Sequence, residues 1–169
     1  MKRNVLSSLL FVFILLSDQI SKYIVVTTCP LYEAREIIGT FVMIRYVRNT
    51  GAVFGLFRTH TEAVFMLKTV IVPVFVLFIV WLLVFKGLRR FPELDVPAVH
   101  YSLVVIAGSA IGNYIDRMRT GAVIDFIDMG IGTARWHTYN LADAYLVAAE
   151  IVLIYCVFRS ETKKEAETP

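Results

Sequence analysis

Charge is scarce in this sequence. Asp, Glu, Lys and Arg together make up 18% of its 169 residues, where a globular domain carries about 25%. The formal net charge is only +3, and no basic, aromatic-interleaved stretch is present, so no nucleic-acid partner is expected. Cysteine is limited to Cys29 and Cys156, far apart and without a CxxC, which removes the redox and zinc-ribbon readings. His60, His100 and His137 are scattered without ligand spacing. No metal or organic cofactor is expected. Nucleophilic triads are equally unsupported, because Ser109 sits inside an apolar segment with no histidine beside it.

What fills the chain instead is hydrocarbon: apolar residues are 57% of it, and the mean hydropathy is +0.67. Four apolar segments, residues 5–26, 63–85, 97–115 and 141–158, reach the roughly 20 residues needed to cross a bilayer. Lipid forces such segments to be helical, since no water is there to satisfy the backbone. The predicted fold is therefore a membrane all-α protein with four transmembrane helices in a single domain. The opening resembles a signal peptide, but Asp18, Gln19 and Lys22 stand where a cleavage site should follow, so the first helix is read as retained. Residues 37–57, rich in β-branched and aromatic side chains and broken by Gly39, Gly51 and Gly55, predict two or three short strands. They form a small extracytoplasmic β-rich subdomain between the first and second helices. Residues 86–96 read as a simple turn and 160–169 as a disordered charged tail.

Lysine and arginine orient the spans. Lys2, Arg3, Lys86, Arg89, Arg90, Arg159, Lys163 and Lys164 crowd short flanks, whereas the arginines of the opposite side are spread over longer loops. Both termini are expected in the cytoplasm. Four antiparallel crossings then bring Asp18, Lys22, Lys68, the stretch from Asn113 to Arg119, Asn140 and Asp143 toward one face of the membrane.

Each of these residues also has a plain reading. Asp18 and Lys22, four apart, can simply neutralise each other. Asn140 and Asp143 have the spacing of a helix cap and its third-position partner. Gly108 and Gly112 form a GxxxG suited to close helix packing, and Pro73 predicts a kink. Asp125 is harder to dismiss, because it interrupts the apolar run Val123–Ile127. If Asp125 and Asp143 meet at about 4 Å, they repel by roughly 4 kcal/mol at an effective dielectric near 20. Both cannot ionise near neutral pH, and a pair sharing one proton can act as base on water and acid toward a carbonyl. A proton-coupled transporter or channel subunit would also hold membrane carboxylates, but at several depths and often with internal repeats. A non-catalytic scaffold has no use for the pair.

Five motifs taken together resemble the lipoprotein signal peptidase family (signal peptidase II). They are DQISK at Asp18–Lys22, RNTGAVFG at Arg48–Gly55, GNYIDR at Gly112–Arg117, GAVIDF at Gly121–Phe126 and YNLAD at Tyr139–Asp143. The resemblance implies an aspartic endopeptidase with Asp125 and Asp143 as catalytic residues. By the same resemblance Asp18, Asn49, Asn113, Arg117 and Asn140 would be the polar residues around them, and Lys22, Gly51 and Asp116, from the same motifs, are expected with them as substrate-binding or supporting groups. It implies lipid-modified prolipoproteins as substrates and membrane lipids as surroundings. The setting would be the bacterial inner membrane, with cleavage near its outer face; a monomer is expected because nothing in the sequence demands a dimer. Ala122 and Glu150 fall outside the family pattern, and Glu150 has no assigned role.

Overall fold

The computed structural model describes residues 2–50 and 96–167. The predicted second span at 63–85, with Lys68 and Pro73, lies outside the described residues, as do Gly51 and the end of the strand-rich stretch after residue 50. Helix α1 spans Lys2–Thr28. Strands β1 (Ala34–Ile38) and β2 (Val42–Asn49) follow, then helix α2 (Pro97–Thr120), strands β3 (Val123–Ile131) and β4 (Ala134–Arg135), and helix α3 (Leu141–Glu167).

At about 1.5 Å per residue, the 27 residues of α1 and the 24 of α2 exceed the hydrocarbon thickness. Both are apolar enough to cross a membrane. The surface of α1 is inverted relative to a soluble helix. Val5, Leu9, Phe13, Leu16 and Ile20 are exposed, while the stripe turned inward is Ile14, Asp18, Lys22, Val25 and Cys29. Those five recur at intervals of four, four, three and four, one face of a helix. Its apolar exterior suits lipid, and its interior carries charge.

Gly108 and Gly112 of α2 are where α1 comes closest. A Cβ on Gly108 would meet Ile14 Cγ2 at 3.1 Å, and one on Gly112 would meet Asp18 Oδ2 at 2.5 Å. The GxxxG is thus a seam between these two helices. One apolar cluster joins α2 to α3 through Val99, Leu103, Ile106 and Ala149. A second, of Val25, Cys29 and Phe126 with Ile44, Tyr46 and Leu141 around it, ties the helices to the sheet.

The sheet is antiparallel in the order β1–β2–β3–β4. This corrects the sequence reading in one respect. The β subdomain is not confined to the connection between the first two spans, because its third strand carries Asp125 and comes from the connection after α2. Val123–Ile131 shows no polar–apolar alternation because residues on both of its faces are buried, and a period-two signal requires one wet face. Two helix ends also differ. α2 runs to Thr120 rather than 115 and stops at Gly121, whose φ of 73° forms a left-handed cap with its N–H on Arg117 O. α3 continues to Glu167, past the point where disorder is expected from the charged tail. Extending an existing helix needs no nucleation, and Glu, Lys and Ala are good helix formers.

Candidate active site

The arrangement begins with the backbone. The amides of Phe126 and Ile127 both donate to Tyr139 O, at 2.9 and 2.7 Å, and Tyr139 N returns to Ile127 O at 3.1 Å. This bridge clamps the start of α3 against β3 and sets Asn140 beside Asp125. Asn140, fully buried, then caps α3. Its Oδ1 accepts the Asp143 amide at 3.0 Å, while Asp143 Oδ2 faces the Asn140 amide at 3.4 Å. The capping geometry anticipated from spacing is present, and it also holds Asp143 in place.

Asp125 is 1% exposed. Its Oδ1 accepts from Asn140 Nδ2 at 2.7 Å and its Oδ2 from Asn49 Nδ2 at 2.9 Å. Burial, followed by the charge of Asp143, raises its pKa to about 7, against the opposing pull of those two amides and of Lys22. Asp143 Oδ1 in turn accepts from Asn113 Nδ2 at 2.8 Å, and Asn113 Oδ1 accepts from Asn140 Nδ2 at 3.1 Å. Asp125 and Asp143 are therefore linked through two asparagines and feel each other's charge.

Beneath them lies an ion cluster. Lys22 Nζ contacts Asp18 Oδ2 at 2.8 Å, Asp116 Oδ2 at 2.7 Å and Asn113 Oδ1 at 2.9 Å. Asp18 Oδ1 accepts the Ala142 amide at 3.1 Å, and Asp116 Oδ2 faces the Ile124 amide at 3.3 Å. The cluster so braces both the first turn of α3 and the start of β3. The private Asp18–Lys22 neutralisation allowed by the sequence is thus only part of a larger group. Gln19, given no role at the site by the sequence, adds contacts to Asp18, Asp116 and the Gly112 carbonyl. Arg117 donates to Asn113 O at 3.4 Å and lies within electrostatic reach of Asp143, Asp125 and Asp116.

Of the residues expected at the site, the structure brings together Asp18, Lys22, Asn49, Asn113, Asp116, Arg117, Asp125, Asn140 and Asp143. Glu150 is exposed on α3, away from them. Asp128 was missed by sequence reasoning. It is buried on the same strand as Asp125 but ion-paired to Arg135 at 2.6 Å and Arg45 at 3.1 Å. Its partners come from other strands, so no local pattern reveals it. No group of metal-ligating side chains occurs among the described residues.

A buried carboxylate, Asp125, and a half-buried one, Asp143, are linked through amides where helices long and apolar enough to cross a membrane meet a sheet, an arrangement suited to acid–base chemistry in a membrane protein. Comparison with known proteins narrows the class. The family model described as signal peptidase (SPase) II matches residues 10–159, and this chain belongs to that family. A lipoprotein signal peptidase of Moorella thermoacetica is 38% identical over 87% of this chain and 89% of its own length. One from Staphylococcus aureus is 31% identical over 95% and 93%. Among solved structures, a bacterial membrane enzyme determined by the in meso method at 2.3 Å superposes with a TM-score of 0.79. It is 29% identical, with 94% of this chain and 90% of that one covered.

Proposed function

We propose that Asp125 and Asp143 are the catalytic pair of this peptidase. The chain is an aspartic endopeptidase that removes signal peptides from prolipoproteins, cutting in front of the cysteine that carries the diacylglyceryl group. The observation that carries the assignment is the double role of Asn140, which holds Asp125 through its side-chain N–H and Asp143 through its side-chain oxygen.

With its pKa at about 7, Asp125 is the member that keeps a proton at rest, and Asp143 is the base. Asp143 takes a proton from water, the resulting hydroxide equivalent attacks the scissile carbonyl, and Asp125 protonates the carbonyl oxygen. As the C–N bond of the gem-diol intermediate breaks, Asp143 gives its proton to the departing amine and Asp125 takes one back from a diol hydroxyl, leaving the carboxylic acid product and the pair as it began. A helical substrate resists this attack because its carbonyls are already bonded, so the segment must be extended where it leaves the membrane. The sheet beside Asp125 suits an extended chain, and Arg117 suits a polarised carbonyl or a lipid head group.

The full topology is four spans with both termini cytoplasmic and the pair near the outer face. The density of Lys and Arg in the short flanks supports it. Purified Asp125→Asn and Asp143→Asn variants, assayed on a lipid-modified signal-peptide substrate, test the assignment. Both should fold and fail to cleave. Turnover near wild type in either removes it from the pair.

A further inference from the structure

We propose that Lys22 is a positioning residue for the aspartate pair, because its ammonium fixes the direction in which the Asn113 amide points. The inference rests on Asp125 and Asp143 being the catalytic pair. An asparagine amide can turn over and exchange its oxygen and nitrogen, so its orientation is set by what its neighbours donate or accept. Lysine has donors only. With Nζ 2.9 Å from Asn113 Oδ1, a turned amide would set its NH2 group against the ammonium and its oxygen against Asp143 Oδ1. Both contacts would become repulsive.

The same oxygen accepts from Asn140 Nδ2 at 3.1 Å, a second donor that disfavours the turned state. The first tie comes from a charged donor, and Lys22 itself has little freedom to move. Asp18 and Asp116 hold its ammonium at 2.8 and 2.7 Å from α1 and α2. The result is a one-way chain: Lys22 donates to Asn113, and Asn113 donates to Asp143 at 2.8 Å. Lys22 is 1% exposed and away from substrate; beyond the through-space pull of its charge on Asp125, its route of contact to the pair runs through Asn113.

The test is a double-mutant cycle of Lys22→Met and Asn113→Ala, with kcat and KM measured separately on the lipid-modified substrate. Each single change should lower kcat by about 100-fold, as small misplacements of a reacting group do, and leave KM unchanged. The double variant should be no worse than the poorer single. Losses that multiply, or that fall on KM alone, overturn the proposal. Lys22→Met leaves two buried carboxylates short of a partner and can fail to fold, so a second variant keeps the test open. Asn113→Asp presents an oxygen to the intact ion cluster but puts another oxygen where Asp143 needs a donor. It should fold with the same loss in kcat, and turnover near wild type overturns the proposal. The reading it rests on is judged independently, by whether Asp125→Asn and Asp143→Asn abolish cleavage. If they do and the cycle multiplies, only the role of Lys22 falls.

Discussion

Replacing Asp125 with asparagine should leave the protein increasingly more stable than the wild type as the pH rises, while removing its activity. Asp125 lies in β3, outside the spans, so its unfolded reference is an ordinary carboxylate in water with a pKa of 3.8, against about 7 when folded. That difference corresponds to about 4 kcal/mol. The sign follows from proton counting. Between these values the folded protein keeps a proton that the unfolded chain has released, so stability declines as pH rises through this window and levels off above the folded value. From about pH 5 to about pH 8 the decline from this one group is about 3 kcal/mol. On the scale of about 2–4 °C per kcal/mol for a chain of this length, it amounts to about 6–12 °C in Tm. The amide introduced by Asp125→Asn retains an acceptor for Asn140 or Asn49 and carries no charge. Thermal unfolding in detergent across that range should therefore show the wild type losing Tm and Asp125→Asn losing much less. Parallel Tm–pH curves for the two proteins would mean that Asp125 ionises no harder in the fold than in water, and the proton assignment would collapse with them.

Three further outcomes follow from contacts already described. Gly112→Ala should destabilise by about 1–3 kcal/mol and depress turnover, because its Cβ would lie 2.5 Å from Asp18 Oδ2; Gly108→Ala meets only Ile14 Cγ2 at 3.1 Å and should be milder in both denaturation and cleavage assays. Asn140→Asp keeps a capping oxygen for the Asp143 amide but sets a buried carboxylate oxygen against Asp125 where a donor stood, so it should both cleave poorly and unfold below the wild-type temperature. Asn140→Ala should lose activity and also about 1 kcal/mol from the missing cap. Arg135→Ala should cost about 3 kcal/mol by stranding the buried Asp128, whereas Arg45→Ala, whose side chain is 39% exposed, should cost less; equal losses in a denaturation series would contradict the ranking.

The carboxylates were legible because each is costly where it stands. Asp125 interrupts an apolar run, and Asp143 occupies a cap position at the head of an apolar helix. Lys22 was legible as a partner of Asp18, since four positions is one helical turn. Its contacts to Asp116 and Asn113 depend on how α1 packs against α2, which spacing within one segment does not encode. The third strand was hidden for a related reason: with both faces covered, β3 presents no alternation, and its pairing with β2 joins residues as distant as Val47 and Asp125. Asp128 drew no reading from the sequence because its partners, Arg45 and Arg135, come from other strands. The far end of α3 illustrates the opposite error, in which charged composition was read as disorder although those same residues sustain a helix already under way.

The bond from the Ala142 amide to Asp18 joins positions 124 apart, and that distance matters while the protein is being made. The ribosome releases α1 long before β3 or α3 exists, so Asp18 and Lys22 enter the membrane without Asn113, Asp116 or the helix they will brace. A nascent copy lacking its last helix has neither Asp143 nor the Asn140 clasp. If Asp125 and Asp143 are the pair proposed above, the site is assembled only once the start of α3 has been made.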